Sequence, residues 1–182
     1  MMSNQRPATA EPIRKARAMA KIEIRPYRAT DRDRLIDLFR GSVRRVARRD
    51  YSLAQVSAWA PDDIDAEGFG RRCADRPTFV AAIDGELAGF GDLEPDGHID
   101  MLYVHADHQR KGVAGSLLDK IEAVARQQGI RRLYAEASIT ARPVFETRGF
   151  QVLTVQAVSL RGQTFTNYRM EKHLGAKGAS GG

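Results

Sequence analysis

The chain has 182 residues, 42% of them hydrophobic and 29% charged, with a formal net charge of +6. That length suits one domain with a proper core and excludes two large ones. No apolar run approaches the ~20 residues of a membrane helix, the first twenty residues lack the apolar centre of a secretory signal, and one cysteine, Cys73, excludes an internal disulfide.

The charge is unevenly spread. Residues 1–21 hold Arg6, Arg14, Lys15, Arg17 and Lys21 against Glu11, a balance of +4, and Lys177 adds one more, so +6 leaves about +1 for the rest. The near-neutral body carries no basic face with interleaved aromatics, so no nucleic-acid partner is expected. Cys73 fits a reducing compartment, and a cytoplasmic protein with no membrane partner follows. Residues 1–21 read as a mobile basic leader and 175–182 as a flexible glycine-rich tail, leaving one domain over 22–174.

Within that domain Ile22 and Ile24 begin a first strand. Thr30-Asp31 is expected to cap a helix whose Leu35, Leu38, Phe39, Val43 and Val46 recur at helical spacing. Ser52 with Gln55 forms a capping box for a short helix ending at Pro61, and 62–75 reads as a further, mostly polar helix. Thr78–Ile83, the turn Asp84-Gly85 and Leu87–Leu93 form a hairpin. Pro95-Asp96-Gly97 turns the chain into a strand over 98–104, followed by a loop and a helix with Leu117, Leu118, Ile121, Val124 and Ala125 on one stripe. A strand at Leu133–Glu136, a short helix over 141–147 and a hairpin around Arg161-Gly162, with arms Val152–Leu160 and Thr164–Met170, complete the order. Strands alternating with helices imply an α/β fold with a central sheet flanked by helices.

The loop after strand 98–104 carries the strongest functional signal. Gln109-Arg110-Lys111-Gly112-Val113-Ala114-Gly115-Ser116 joins a strand to a helix start, where free N–H groups and the helix dipole favour a phosphate. Gly112 and Gly115 let a ligand approach the main chain. The loop is no P-loop, because Lys111 precedes its glycine, and no G-x-G-x-x-G fingerprint.

Gln109 to Ala114 does resemble, position by position, the Q/R-x-x-G-x-G/A loop of the GNAT superfamily of N-acetyltransferases. About thirty residues on, Ala141-Arg142-Pro143-Val144-Phe145-Glu146-Thr147-Arg148-Gly149-Phe150 is similar to that family's N-x-x-A-x-x-x-Y-E-x-x-G-F signature. The likeness spans roughly 22–174 and implies a GNAT-like mixed central sheet in a single domain. It also implies acetyl-CoA as co-substrate, with Gln109–Ser116 at the pyrophosphate and the main chain of Leu102, Tyr103 and Val104 along the pantetheine. Ser138, Arg142 and Phe145 fall at further cofactor-side positions. The activity implied is acetyl transfer to a primary amine, small-molecule or peptide, by direct attack in a ternary complex.

His98 and Asp100 alternate with Leu102 and Val104 and so share a strand face. This is the face bordering the reaction centre in the resembling family, and His98, with a near-neutral pKa, is the expected base beside Asp100. Phe145 occupies the place of the family's tyrosine, the usual proton donor to the thiolate; Tyr168 and Tyr103 are the substitutes. The same departure motivates the alternative of a non-catalytic acyl-CoA-binding regulator. Tyr51 and Trp59 lie where the family shapes its acceptor pocket. No grouping has metal-ligand spacing, so no metal is expected, and a homodimer is the default assembly.

Overall fold

A computed structural model describes residues 21–175. The expected leader and tail lie outside the described residues, apart from Lys21 and Gly175. Antiparallel pairing joins β1 (Ile22–Pro26), β2 (Thr78–Ile83), β3 (Glu86–Asp92) and β4 (Leu102–Val104) in that order. A second antiparallel sheet places β7 (Gln163–His173) between β5 (Arg132–Ser138) and β6 (Gln151–Leu160).

The sheets meet at one parallel bridge, His98 to Tyr134. There the Ile99 N–H donates to the Tyr134 carbonyl at 2.9 Å, and the Tyr134 N–H donates to the Gly97 carbonyl at 3.0 Å. Beyond it, no ladder joins β4 to β5 among the described residues, and the strands part. This parallel junction between antiparallel sheets, with helices on both faces, is the expected mixed α/β architecture.

Five α-helices cover the sheet among the described residues: α1 (Arg32–Gly41), α2 (Leu53–Trp59), α3 (Ala66–Ala74), α4 (Val113–Gln127) and α5 (Arg142–Thr147). The α4 stripe Leu117, Leu118, Ile121 and Ala125 packs on Phe79, Ala81 and Ile83 of β2. On the other face Leu35, Leu38, Phe69 and Cys73 of α1 and α3 bury Val80 and Phe90. Every residue of β2 is therefore buried, and each fully buried Leu, Ile or Phe contributes ~1.5–3 kcal/mol.

Three expectations are corrected. The strand predicted over 98–104 is regular only from Leu102 to Val104, because the Asp92 carboxylate takes the Met101 N–H at 2.7 Å and interrupts the ladder. Asp31 caps no α-helix: a short 3-10 turn, Ala29–Asp31, precedes α1, and the Asp31 carboxylate accepts from Arg25 at 2.7 and 2.8 Å and from the Arg28 N–H at 2.9 Å. The helix predicted over 62–75 is confined to Ala66–Ala74, where the Asp65 side chain accepts the Gly68 N–H and fixes the start. The Ser52–Gln55 capping box stands as expected.

Candidate active site

The parting of β4 from β5 opens a cleft. Its walls include Leu102, Tyr103 and Val104 of β4, Ala114 at the start of α4, Ala137 and Ser138 of β5, and Phe145 of α5. The main-chain bonds Asp92 N to Met101 O and His105 N to Ala88 O fix the alternation along the β3–β4 ladder. Tyr103 is then the residue that exchanges bonds with Phe90, while Leu102 and Val104 turn their main-chain groups toward the cleft. The Val104 carbonyl is taken by the Gln109 side chain at 2.9 Å. Gln109 thus braces the loop rather than pointing at a ligand.

At one end of this cleft α4 begins. Gly112 has φ of 84°, and the nearest atom to a Cβ there would be Ile22 Cδ1 at 3.8 Å, so its surface is open. The Ser116 N–H is the first to find a helical acceptor, the Gly112 carbonyl at 3.0 Å. The N–H groups of Val113, Ala114 and Gly115 belong to the first turn and have no intrahelical partner. The Ser116 hydroxyl bonds back to the same carbonyl at 3.1 Å.

Gly115 has a neighbour that the sequence did not point to. A Cβ there would stand 1.9 Å from a guanidinium nitrogen of Arg148, so the missing side chain also makes room for that arginine. Arg148, held by Asp119 at 2.7 Å, was not singled out from the sequence and adds a cation beside the α4 start. Exposed Arg110 and Lys111 flank the same loop. Arg142 bonds Glu146 at 2.7 Å and stacks 4.5 Å over the Tyr168 ring. Tyr168 lies beneath that guanidinium and is absent from the cleft wall. The Ser138 hydroxyl accepts the Ala141 N–H at 3.0 Å, shaping the turn into α5.

A second cavity adjoins the first, walled by Phe39, Trp59, Phe69 and Leu160, with Arg72 and Arg161 among its polar lining. Trp59, Asp100 and Tyr103 line both spaces, so the two meet at these side chains. Burial holds the Tyr103 phenol protonated well above the usual tyrosine range. Asp100 receives Arg76 at 3.3 Å, and Arg76 also reaches Asp92 at 3.0 Å and Glu94. Burial pushes Asp92 up to about 6 even though the Met101 N–H and Arg76 oppose it.

His98 departs from expectation. It lines neither cavity; its ring stacks on Tyr134 at 4.8 Å and sits between Glu94 at 3.0 Å and Glu136 at 2.6 Å. The reason is the interrupted strand, which breaks the two-residue alternation between positions 98 and 102. Burial pulls the His98 pKa down, but hydrogen bonds and charge from the two glutamates outweigh it and leave it raised.

Tyr51 also lies elsewhere. Its hydroxyl donates to the Thr166 carbonyl at 2.6 Å and accepts the Ile139 N–H at 2.9 Å, tying the chain before α2 to the second sheet. It meets Trp59 edge-on at 5.6 Å and so supports the cavity wall from behind. Cys73 is buried, and that burial lifts its thiol to about 12, which removes it as a nucleophile. Among the described residues no group of His, Cys, Asp and Glu could hold a metal ion, and no helix is long and apolar enough to cross a membrane.

The model of the acetyltransferase (GNAT) domain matches residues 47–172. The chain belongs to the GNAT acetyltransferase family. This GNAT chain is 37% identical over 152 residues to the uncharacterized N-acetyltransferase YafP of Escherichia coli (strain K12), covering 84% of this chain and 96% of that one. Among solved structures it resembles the GCN5-related N-acetyltransferase from Rhodopseudomonas palustris, at 34% identity and TM-score 0.81, covering 86% of this chain and 98% of that one. The PaiA N-acetyltransferase from Thermoplasma acidophilum, solved in complex with coenzyme A, shares the GNAT fold at 20% identity and TM-score 0.70 over 84% of this chain and 99% of that one.

Proposed function

We propose that this GNAT chain moves the acetyl group of acetyl-CoA to a primary amine by direct attack in a ternary complex. The observation that carries the reading is the junction of the two cavities at Trp59, Asp100 and Tyr103. One cavity fits an acyl thioester arm and the other an acceptor, and the groups at their meeting point are a carboxylate and a phenol.

The residues suit coenzyme A. Free N–H groups of Val113, Ala114 and Gly115, with the open face of Gly112, match a pyrophosphate. Arg110, Lys111 and Arg148 supply local positive charge, and Arg142 stands at α5 on the same side of the cleft. The main-chain groups of Leu102 and the Val104 N–H match the amides of an extended arm. Acetyl-CoA supplies an activated acetyl thioester; the chain supplies position and proton handling.

Asp100, exposed at the junction, takes the proton that an ammonium must lose before it can attack, directly or through one water. It replaces His98, whose ring nitrogens are occupied by Glu94 and Glu136. Tyr103, kept protonated by burial, offers its O–H as a hydrogen bond to the departing thiolate in place of the donor missing at Phe145, and the thiolate takes its proton from solvent. A thiolate of ordinary pKa, near ~8.5, leaves readily enough that this donor assists without being indispensable. No acyl-enzyme forms, since Cys73 is buried and inert.

The test is release of free thiol from acetyl-CoA with a panel of primary amines. Amine-dependent release with matching N-acetyl product is the expected result. Saturable acetyl-CoA binding with no release for any amine would leave an acyl-CoA-binding regulator instead.

A further inference from the structure

We infer that the acceptor amine carries its own carboxylate, held by Arg72 and Arg161 in the second cavity, with its amino group at Asp100. This deepens the acetyl-transfer reading and rests on it. The chemical class is a short zwitterion with an apolar body, an amino acid or a compound of that shape.

Charge is the first argument. The acidic groups near this cavity each have one partner: Asp65 accepts the Gly68 N–H at 2.9 Å, and Asp92, Glu94 and Asp100 share the single cation of Arg76, which leaves Asp100 able to take an ammonium. Arg72 has only a long contact of 3.9 Å to Asp100 and is half exposed. Arg161 pairs with no carboxylate among the described residues; of its five N–H donors, one reaches the Ala58 carbonyl at 2.7 Å. The lining sets Asp65 and Asp100 against Arg72 and Arg161; the two guanidinium groups have spare donor capacity and suit a carboxylate, which a guanidinium fork binds with paired hydrogen bonds.

Backbone conformation is the second. Arg161 and Gly162 form the two-residue turn between β6 and β7 with φ of 46° and 75°. The first position of such a turn favours Asn, Asp or Gly, and an arginine held there costs on the order of 1 kcal/mol of stability. Strain of that kind persists where the surroundings require it and marks functional positions. Here the bond to Ala58 draws the guanidinium over the end of α2, beside Trp59.

Spacing is the third. Arg72 Nη1 lies 3.9 Å from Asp100 Oδ2. An ammonium at Asp100 and a carboxylate at Arg72 are then separated by the few bonds of an amino acid, not by a long chain. Phe39, Trp59 and Phe69 receive the apolar body.

The experiment compares kcat/KM for L-phenylalanine, for phenethylamine, which lacks the carboxylate, and for spermidine, in the full chain and in Arg161→Asn. That substitution removes the guanidinium yet gives the turn its preferred Asn-Gly pair, so loss of the fold does not confound it. The parent is expected to favour phenylalanine over phenethylamine by about tenfold or more, the value of one or two charge-assisted hydrogen bonds. Spermidine should be the poorest acceptor. In Arg161→Asn and in Arg72→Gln the ratio should fall towards one, mainly through KM. A parent without the preference, a preference for spermidine, or an unchanged ratio in both variants would overturn the carboxylate clamp while leaving acetyl transfer intact. If no amine turns over, acetyl transfer itself fails. The clamp is then decided by binding: phenylalanine should raise the thermal midpoint of the CoA-saturated parent but not of Arg161→Asn, and no shift in the parent refutes it.

Discussion

The two halves of the candidate site are made of different material. The side we propose for the cofactor is main chain: first-turn N–H groups of α4, an uncovered Gly112 and the free edge of β4. The side we propose for the acceptor is side chain: Phe39 from α1, Trp59 from α2, Phe69 and Arg72 from α3, Arg161 from the β6–β7 turn, Tyr103 from β4 and Asp100 from the segment before it. Backbone groups bind any ligand of the right shape and tolerate most side-chain changes around them. A pocket of side chains from separate segments can be re-specified one residue at a time, which lets one acetyl donor serve many acceptors across a family.

The sharpest way to break this contrast is at Gly112. Gly112→Val should abolish the stabilisation that saturating acetyl-CoA gives, ~2.7 kcal/mol at a hundredfold excess over Kd, because a branched side chain fits neither φ of 84° nor a phosphate on the main chain. A folded Gly112→Val protein with the parent's thermal shift would show that α4 is not the cofactor's seat.

Asp100→Asn probes the other half. It should lower turnover on the order of 10²-fold with acetyl-CoA binding retained. His98→Ala should cost far less, and a larger loss in His98→Ala than in Asp100→Asn in thiol-release assays would return the base to His98.

Tyr51 separates support from contact. Tyr51→Phe leaves the Ile139 N–H without its present partner and should cost ~1–3 kcal/mol by denaturant unfolding, with the acceptor preference unchanged. A changed preference would make Tyr51 part of the pocket.

The last effect is a titration. Asp92 ionises at about 6 in the fold, against ~3.9 when unfolded. A raised folded pKa favours folding at low pH, and that contribution is lost as pH rises through the window from about 4 to about 6. Over that window the parent's thermal midpoint should fall relative to Asp92→Asn. A difference that stays flat would mean that Asp92 is charged throughout.

The same division explains what the sequence disclosed. Gln109–Ser116 is one contiguous stretch whose purpose follows from local rules about helix starts and glycine, and the β2–β3 turn and the Ser52 cap were equally local. The packing of Arg148 against Gly115 is invisible in the sequence because that arginine stands thirty-three residues away and reaches it only in three dimensions. His98 was preferred to Asp100 on an alternation that holds only for an uninterrupted strand, and nothing near position 98 announces that the Asp92 carboxylate will claim the Met101 N–H. Arg72 and Arg161, eighty-nine residues apart in the numbering, look like two ordinary surface arginines until the second cavity brings them together.

The lone bridge between His98 and Tyr134 has a mechanical consequence. Two strands that separate from a single pinned point behave as a pair of levers: a shift at the pin is multiplied with distance, so the mouth of the wedge moves further than its apex. The ring stack and the two glutamates around His98 therefore act as a rivet. A substitution there should weaken acetyl-CoA binding, if the arm lies in the wedge as we propose, well before it touches the chemistry.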